Sequence, residues 1–135
     1  MSNITQVVRT DKNMTTFKRG VIASGLDQVL SGAGPFTVFA PSDLAFGKLE
    51  SGMVENLLQP ENKLKLTDLL NQHIVSGHIN FKDLKDGEKL KTLQGKELSV
   101  QVKEGKISID DAVIQNHDVK SSNGVIHSVD SVLTS

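Results

Sequence analysis

Four histidines, at positions 73, 78, 117 and 127, and a scatter of carboxylates are the side chains here with chemistry to offer. Their spacing limits what that chemistry can be. His73 and His78 stand five apart across Gly77, whereas a helical zinc pair sits at i, i+4, so no metal site is expected. Asp110 and Asp111 follow a strand pattern. Two acids there make a solvated turn, because a calcium loop needs more oxygen ligands at set spacing. The chain holds no Gly-x-Ser-x-Gly, no phosphate-cradling glycine loop and no dinucleotide fingerprint. It also has no cysteine, which removes thiolate nucleophiles, disulfides and Cys-based metal sites. Ser, His and Asp all occur, but a triad is defined by geometry and not by presence. The chain is therefore read as no enzyme, with no cofactor and no metal.

The ionisable groups then take structural readings. His127 shares a strand face with Val125 and Val129, as a buried histidine does whose ring nitrogens find backbone partners. His73 closes an apolar helical stripe and reads the same way. Asp43 follows Ser42, a good N-cap, in a first turn where the helix dipole favours an anion. Asp130 alternates with Val129 and is placed to pair across a sheet.

The elements that must position these groups follow from pattern. The chain has 135 residues, 37% of them hydrophobic, which suits one self-sufficient domain over 1–135. The first two-thirds reads mostly helical and the last third as strands, an α+β segregation. Asn3, Asn13 and Asn62 are candidate helix caps, and Gly25 suits a left-handed helix end. Met14, Phe17 and Val21 form an apolar stripe, as do Leu66, Leu69, Leu70 and His73. Phe36 and Val38 face one side of a strand, Thr37 and Phe39 the other, and Pro41 stops it. Ala45, Phe46 and Leu49 then face inward from a short helix. Ser51-Gly52 breaks the chain. Beyond Gly87 the period becomes two: Leu98, Val100 and Val102 pair with Ile107 and Ile109 around Glu104-Gly105. Ala112 to Ile114 is another strand, Asn116 to Val119 a polar loop, and Asn123-Gly124 a hairpin turn with positive φ at both residues.

With 15 basic and 16 acidic residues, net charge −1, the chain lacks the basic face that nucleic acid or an anionic membrane requires. No apolar run approaches the ~20 residues that span a bilayer. The N-terminus has neither a positive region nor an apolar stretch, so the chain reads as cytosolic or as the mature part of a longer precursor.

Two segments carry a resemblance. Gly34-Pro-Phe-Thr-Val-Phe-Ala-Pro-Ser-Asp43-Leu-Ala-Phe46 and Asn123-Gly-Val-Ile-His127-Ser-Val-Asp130-Ser-Val-Leu133 are similar to the two signatures of the fasciclin-type (FAS1) domain. Between them, Leu69 to Gly77 resembles that family's Tyr-His region, with Gln72 in place of the Tyr. The resemblance implies a β-wedge of two sheets with helices packed against it, mainly from the N-terminal two-thirds. It makes Phe36, Phe39, Pro41, Asp43, Phe46, Asn123, Gly124, His127 and Asp130 structural signature residues. It also implies a non-enzymatic adhesion module placed extracellularly, at the cell surface or in the periplasm.

In animal relatives, integrin-binding motifs of the type Asn-Lys-Asp-Ile-Leu precede the second signature. Asn116 and Asp118 match that motif, Val119 is a near match, and Lys120 replaces an apolar residue. The candidate partner-binding residues are thus Asn116, Asp118 and Val119, with His73 from the Tyr-His region. The expected partner is a cell-surface or matrix protein or glycan, bound by a monomer. The alternative is an intracellular small-molecule binder or enzyme on the same fold.

Overall fold

The computed structural model describes residues 3–32, 34–49, 52–110 and 112–133; Ala33, Ser51 and Asp111 of the expected turns lie outside them. Among the described residues six α-helices all precede residue 72: α1 (Ile4–Thr10), α2 (Thr15–Ser24), α3 (Leu26–Val29), α4 (Asp43–Phe46), α5 (Met53–Leu57) and α6 (Lys63–Asn71). Seven strands make one sheet: β1 (Phe36–Pro41), β2 (Ile74–Ser76), β3 (Lys89–Lys91), β4 (Glu97–Lys103), β5 (Lys106–Ile109), β6 (Ala112–Ser121) and β7 (Gly124–Val129). Their order is β2-β1-β7-β6-β5-β4-β3. Among the described residues only β1 and β7 pair in parallel, and the other neighbours are antiparallel. An antiparallel bridge from Val75 to Thr92 draws the two edges together, so the sheet is a nearly closed wedge. This is the α+β wedge with flanking helices that the resemblance implies, its strands joined in one sheet where two were expected.

The period-two pattern of β1 and β7 divides the interior. Val38, Ala40 and Ile126 face the helices, where they meet Ile4, Val8, Phe17, Val21, Leu66 and Leu70. Phe39 and Val129 face into the wedge, against Leu98, Val100, Ile107, Ile109 and Ile114. Burying each large aliphatic side chain is worth ~1.5–3 kcal/mol, so both interiors hold the central β1–β7 pair from opposite faces.

Local signals held where one side chain serves its own neighbours. Asn3 caps α1 through the amide of Gln6, which answers in a capping box. Ser42 caps α4 through Ala45 N–H, and Gly25 ends α2 at φ 82°. Glu104 and Gly105 both take positive φ in the β4–β5 hairpin.

Four expectations are corrected. Asn13 caps nothing: α2 begins after Met14, with no cap from its own flank. Asn62 does not cap α6; its amide instead donates to Asn56. The segment Asn116 to Val119 is not a loop but the bulged middle of β6. In the last hairpin, Ser121 pairs directly with Gly124, so Ser122 and Asn123 form the loop and Gly124 opens β7. Asn123 does not have positive φ, and Gly124 lies at φ 159°. That glycine is required for space: a Cβ there would run into the carbonyl of its parallel partner Phe36 and come within 2.9 Å of Ile4 Cδ1.

Candidate functional site

The second signature forms around Asn123, which is buried. Its Oδ1 accepts the N–H of Ile4 at 2.9 Å, and its Nδ2 donates to the carbonyls of Leu30 (2.6 Å) and Gly32 (2.8 Å). Its own carbonyl accepts Phe36 N–H at 2.9 Å. The side chain thus ties the start of α1 and the end of α3, and the main chain ties the start of β1, to the β6–β7 hairpin. Asp130 performs the expected cross-strand pairing, its Oδ1 accepting Val113 N–H at 2.8 Å.

Asp43 works on a helix other than its own. Its Oδ1 accepts Thr16 N–H and its Oδ2 the hydroxyl of Thr15, both at 2.8 Å. It therefore caps α2 from 27 residues away, which is why Asn13 is not needed there. Partial burial works against its charge, but the Thr16 and Thr15 bonds prevail and hold the carboxyl below its ordinary range.

His73 of the Tyr-His region and His127 of the second signature are both buried and doubly bonded. His73 Nδ1–H donates to Leu69 carbonyl at 2.8 Å, and its Nε2 accepts Leu133 N–H at 2.9 Å. Burial pushes its pKa from 6.5 down to about 4, against the pull of the Leu69 bond. His127 Nε2–H donates to Ile79 carbonyl at 2.8 Å, and its Nδ1 accepts Asp118 N–H at 3.1 Å. Its ring stacks on Phe39 at 5.6 Å, whose N–H donates to the carbonyl of His73. Burial lowers the His127 pKa too, although the Ile79 bond and the Asp118 charge oppose the shift. Both rings are therefore neutral at pH 7, each with one donor and one acceptor nitrogen satisfied.

The candidate segment is built on these anchors. Across β6 and β7 the register steps from Ile114↔Val129 to Asn116↔Ser128 and then to Val119↔Ile126. Each step gives β6 one extra residue, so two β-bulges flank Asn116. Asp118 sits in the second bulge in the left-handed region, φ 58°, which Asp tolerates better than most residues. Its Oδ1 accepts Phe81 N–H at 2.9 Å and its Oδ2 lies 3.1 Å from His117 Nδ1. Desolvation raises the Asp118 carboxyl, but the Phe81 bond, the His117 bond and the two nearby histidines outweigh it and keep it low. The His117 ring stacks on Phe81 at 3.9 Å.

The structure therefore brings Asn116 and Asp118 together on one bulged strand beside His127. Val119 is half-buried and packs on the helix-side core. His73 is fully buried and lies at the other end of the Phe39 link, with no surface to offer. Phe81 and His117 complete the segment but stand 36 residues apart, so no sequence spacing couples them. Among the described residues no group of three or more His, Cys, Asp or Glu could hold a metal ion, and no helix is long and apolar enough to cross a membrane.

Comparison with known proteins places this geometry. The model of the fasciclin domain matches residues 12–135. The chain belongs to the fasciclin domain family. A solved fasciclin (FAS1) domain pair from the insect cell adhesion molecule fasciclin I superposes with a TM-score of 0.86 at 21% identity, covering 99% of this chain and 51% of that one; at that identity it shows the shared fold. Protein sll1483 of Synechocystis is 42% identical over 96% of this fasciclin domain and 72% of its own length. Protein sll1735 of the same organism is 34% identical and covers 98% of each chain. The transforming growth factor-beta-induced protein ig-h3 of Sus scrofa is 35% identical over 98% of this chain, which spans 19% of that protein.

Proposed function

We propose that this fasciclin domain is a non-enzymatic adhesion module that binds a cell-surface or matrix protein or glycan through the bulged middle of β6. The observation that carries this is the fixing of Asn116 to Val119. Two bulges, the His127 and Ser128 bonds and the Phe81 contact hold a partly exposed polar segment in one conformation. A binding segment fixed before contact avoids the ordering cost of association. The segment also occupies the place of the integrin-binding motifs of animal relatives, and fasciclin I is itself a cell adhesion molecule.

In this reading Asn116 and the Asp118 carboxylate make the polar contacts. Val119 supplies the edge of an apolar anchor, and His73 acts from the interior as a positioning residue. The module works outside the cytoplasm, at the cell surface or in the periplasm, as a monomer. The test is adhesion of protein-coated beads to source cells: Asp118→Asn or Asn116→Ala should reduce it, and unchanged adhesion by both overturns the assignment of this segment.

A further inference from the structure

A cleft of about 200 Å³ lies where β6 passes the starts of α2 and α4. We infer that it is a binding site for one sugar ring of a neutral glycan, held by the side-chain amides of Asn13, Gln115 and Asn116. The inference deepens the adhesion reading and rests on it only through Asn116.

The bulges make the site. Paired residues share a face of the sheet, so Ile114, opposite Val129, points into the wedge. Asn116, opposite Ser128, is on the helix side with Ile126. Without the bulge at Gln115, strand alternation would turn Asn116 to the same face as Ile114, into the apolar interior. With it, both Gln115 and Asn116 are exposed and line the cleft. Bulges commonly re-aim a side chain beside a functional site.

The lining chemistry selects the ligand. None of the three side-chain amides has a hydrogen-bond partner among the described residues, and each offers donors and an acceptor. That combination matches neighbouring hydroxyls, which also donate and accept. No Lys or Arg lines the cleft, and its acids are Asp11 and Asp43, which disfavours phosphate, sulfate or a uronate. Asp43 has both oxygens committed to Thr15 and Thr16. Asp11 uses Oδ1 on Asn13 N–H, leaving Oδ2 to accept from hydroxyls. Leu44, 82% exposed at the lip, gives an apolar patch for the C–H face of a ring. The volume lies below the ~300–1,000 Å³ of drug-sized sites and suits a single ring.

The experiment is a titration of the isotope-labelled protein with the methyl glycosides of neutral hexoses and N-acetylhexosamines at millimolar concentration, read on side-chain amide NMR signals. At least one glycoside should shift the Asn13, Gln115 and Asn116 signals saturably. Gln115→Ala should weaken that binding about tenfold, the loss of one or two hydrogen bonds, with an unchanged melting midpoint. No saturable shift with any neutral glycoside overturns the inference, as does a shift confined to other residues. Lysine methyl ester, added as a separate probe, would mark the cleft as a seat for a basic side chain if it alone shifted these signals, and that also overturns it. Loss of bead adhesion in Asp118→Asn without any glycoside shift leaves the adhesion module standing and removes only the glycan. Glycoside shifts with adhesion unaffected by Asp118→Asn and Asn116→Ala do the reverse.

Discussion

His127 Nδ1 accepts the backbone N–H of Asp118 at 3.1 Å, and this bond joins a fully buried ring to the bulge that carries the candidate contacts. It requires the imidazole to be neutral with its proton on Nε2, where Ile79 carbonyl accepts it. The second signature thus supports the segment before it, and the signature histidine acts by positioning.

His127→Leu should keep the Phe39-facing apolar bulk and leave Asp118 N–H and Ile79 carbonyl unpaired. Each unpaired buried group costs ~1–3 kcal/mol. The variant should lose about 2–4 kcal/mol in urea unfolding, and amide exchange should speed at Asp118 more than at Ile126. Equal protection at both sites would contradict a bulge held by this ring.

Acid should weaken the fold through His73. The folded pKa is about 4 against 6.5 when unfolded, so the unfolded chain binds the extra proton first. The full contribution is present above pH 6.5 and is lost as pH falls toward 4. At ~1.4 kcal/mol per pH unit the loss approaches about 3 kcal/mol, and His127 adds in the same direction. In His73→Gln, stability measured from pH 7 to pH 4 should fall less steeply; an identical slope would remove His73 as a source.

Asp43→Ala should destabilise α2 by about 1–2 kcal/mol, the usual cost of a lost cap. The signature of a cap across 27 residues is local. Amide exchange should speed at Thr16, while Ala45 stays protected by Ser42. Faster exchange at Ala45 alone would return Asp43 to its sequence-based role as a first-turn acid of α4.

Gly124→Ala should cost about 3 kcal/mol or more, because overpacking against backbone has little room to relax. Gly105→Ala, at φ 80° with nothing within 4 Å of the added Cβ, tests strain without crowding; it should cost only ~1 kcal/mol. Equal melting midpoints for the two variants would refute the close approach to Phe36.

The sequence made legible those features that depend on neighbours in the chain. The two-faced burial of Phe36 to Pro41, the β4–β5 hairpin and the Asn3 and Ser42 caps all follow from local period or local hydrogen bonding. Asn13 was misread because a cap can arrive from another element, and nothing in its own flank reveals Asp43. Asn116 to Val119 reads as a loop because polarity outweighs extension when a bulge turns side chains to solvent. Asn123-Gly124 reads as a positive-φ turn by propensity, whereas the close β1–β7 approach decides the role of that glycine. The Lys89–Lys91 strand is too short, with one apolar residue between two lysines, to show alternation. The cleft joins Asp11, Asn13 and Met14, Ser42 to Leu44, and Gln115, Asn116 and Ser128, and only the folded bulge brings them together.

The central claim is that the bulged segment of β6 is the contact surface. Asp118→Asn tests it most directly, because Asn tolerates the left-handed backbone, can still accept from Phe81, and changes only the charge and the oxygen that faces His117. Binding of purified wild-type and variant protein to intact source cells should differ about tenfold or more at equal melting midpoints, as loss of a charged hydrogen bond entails. Equal binding by the folded variant would contradict the claim.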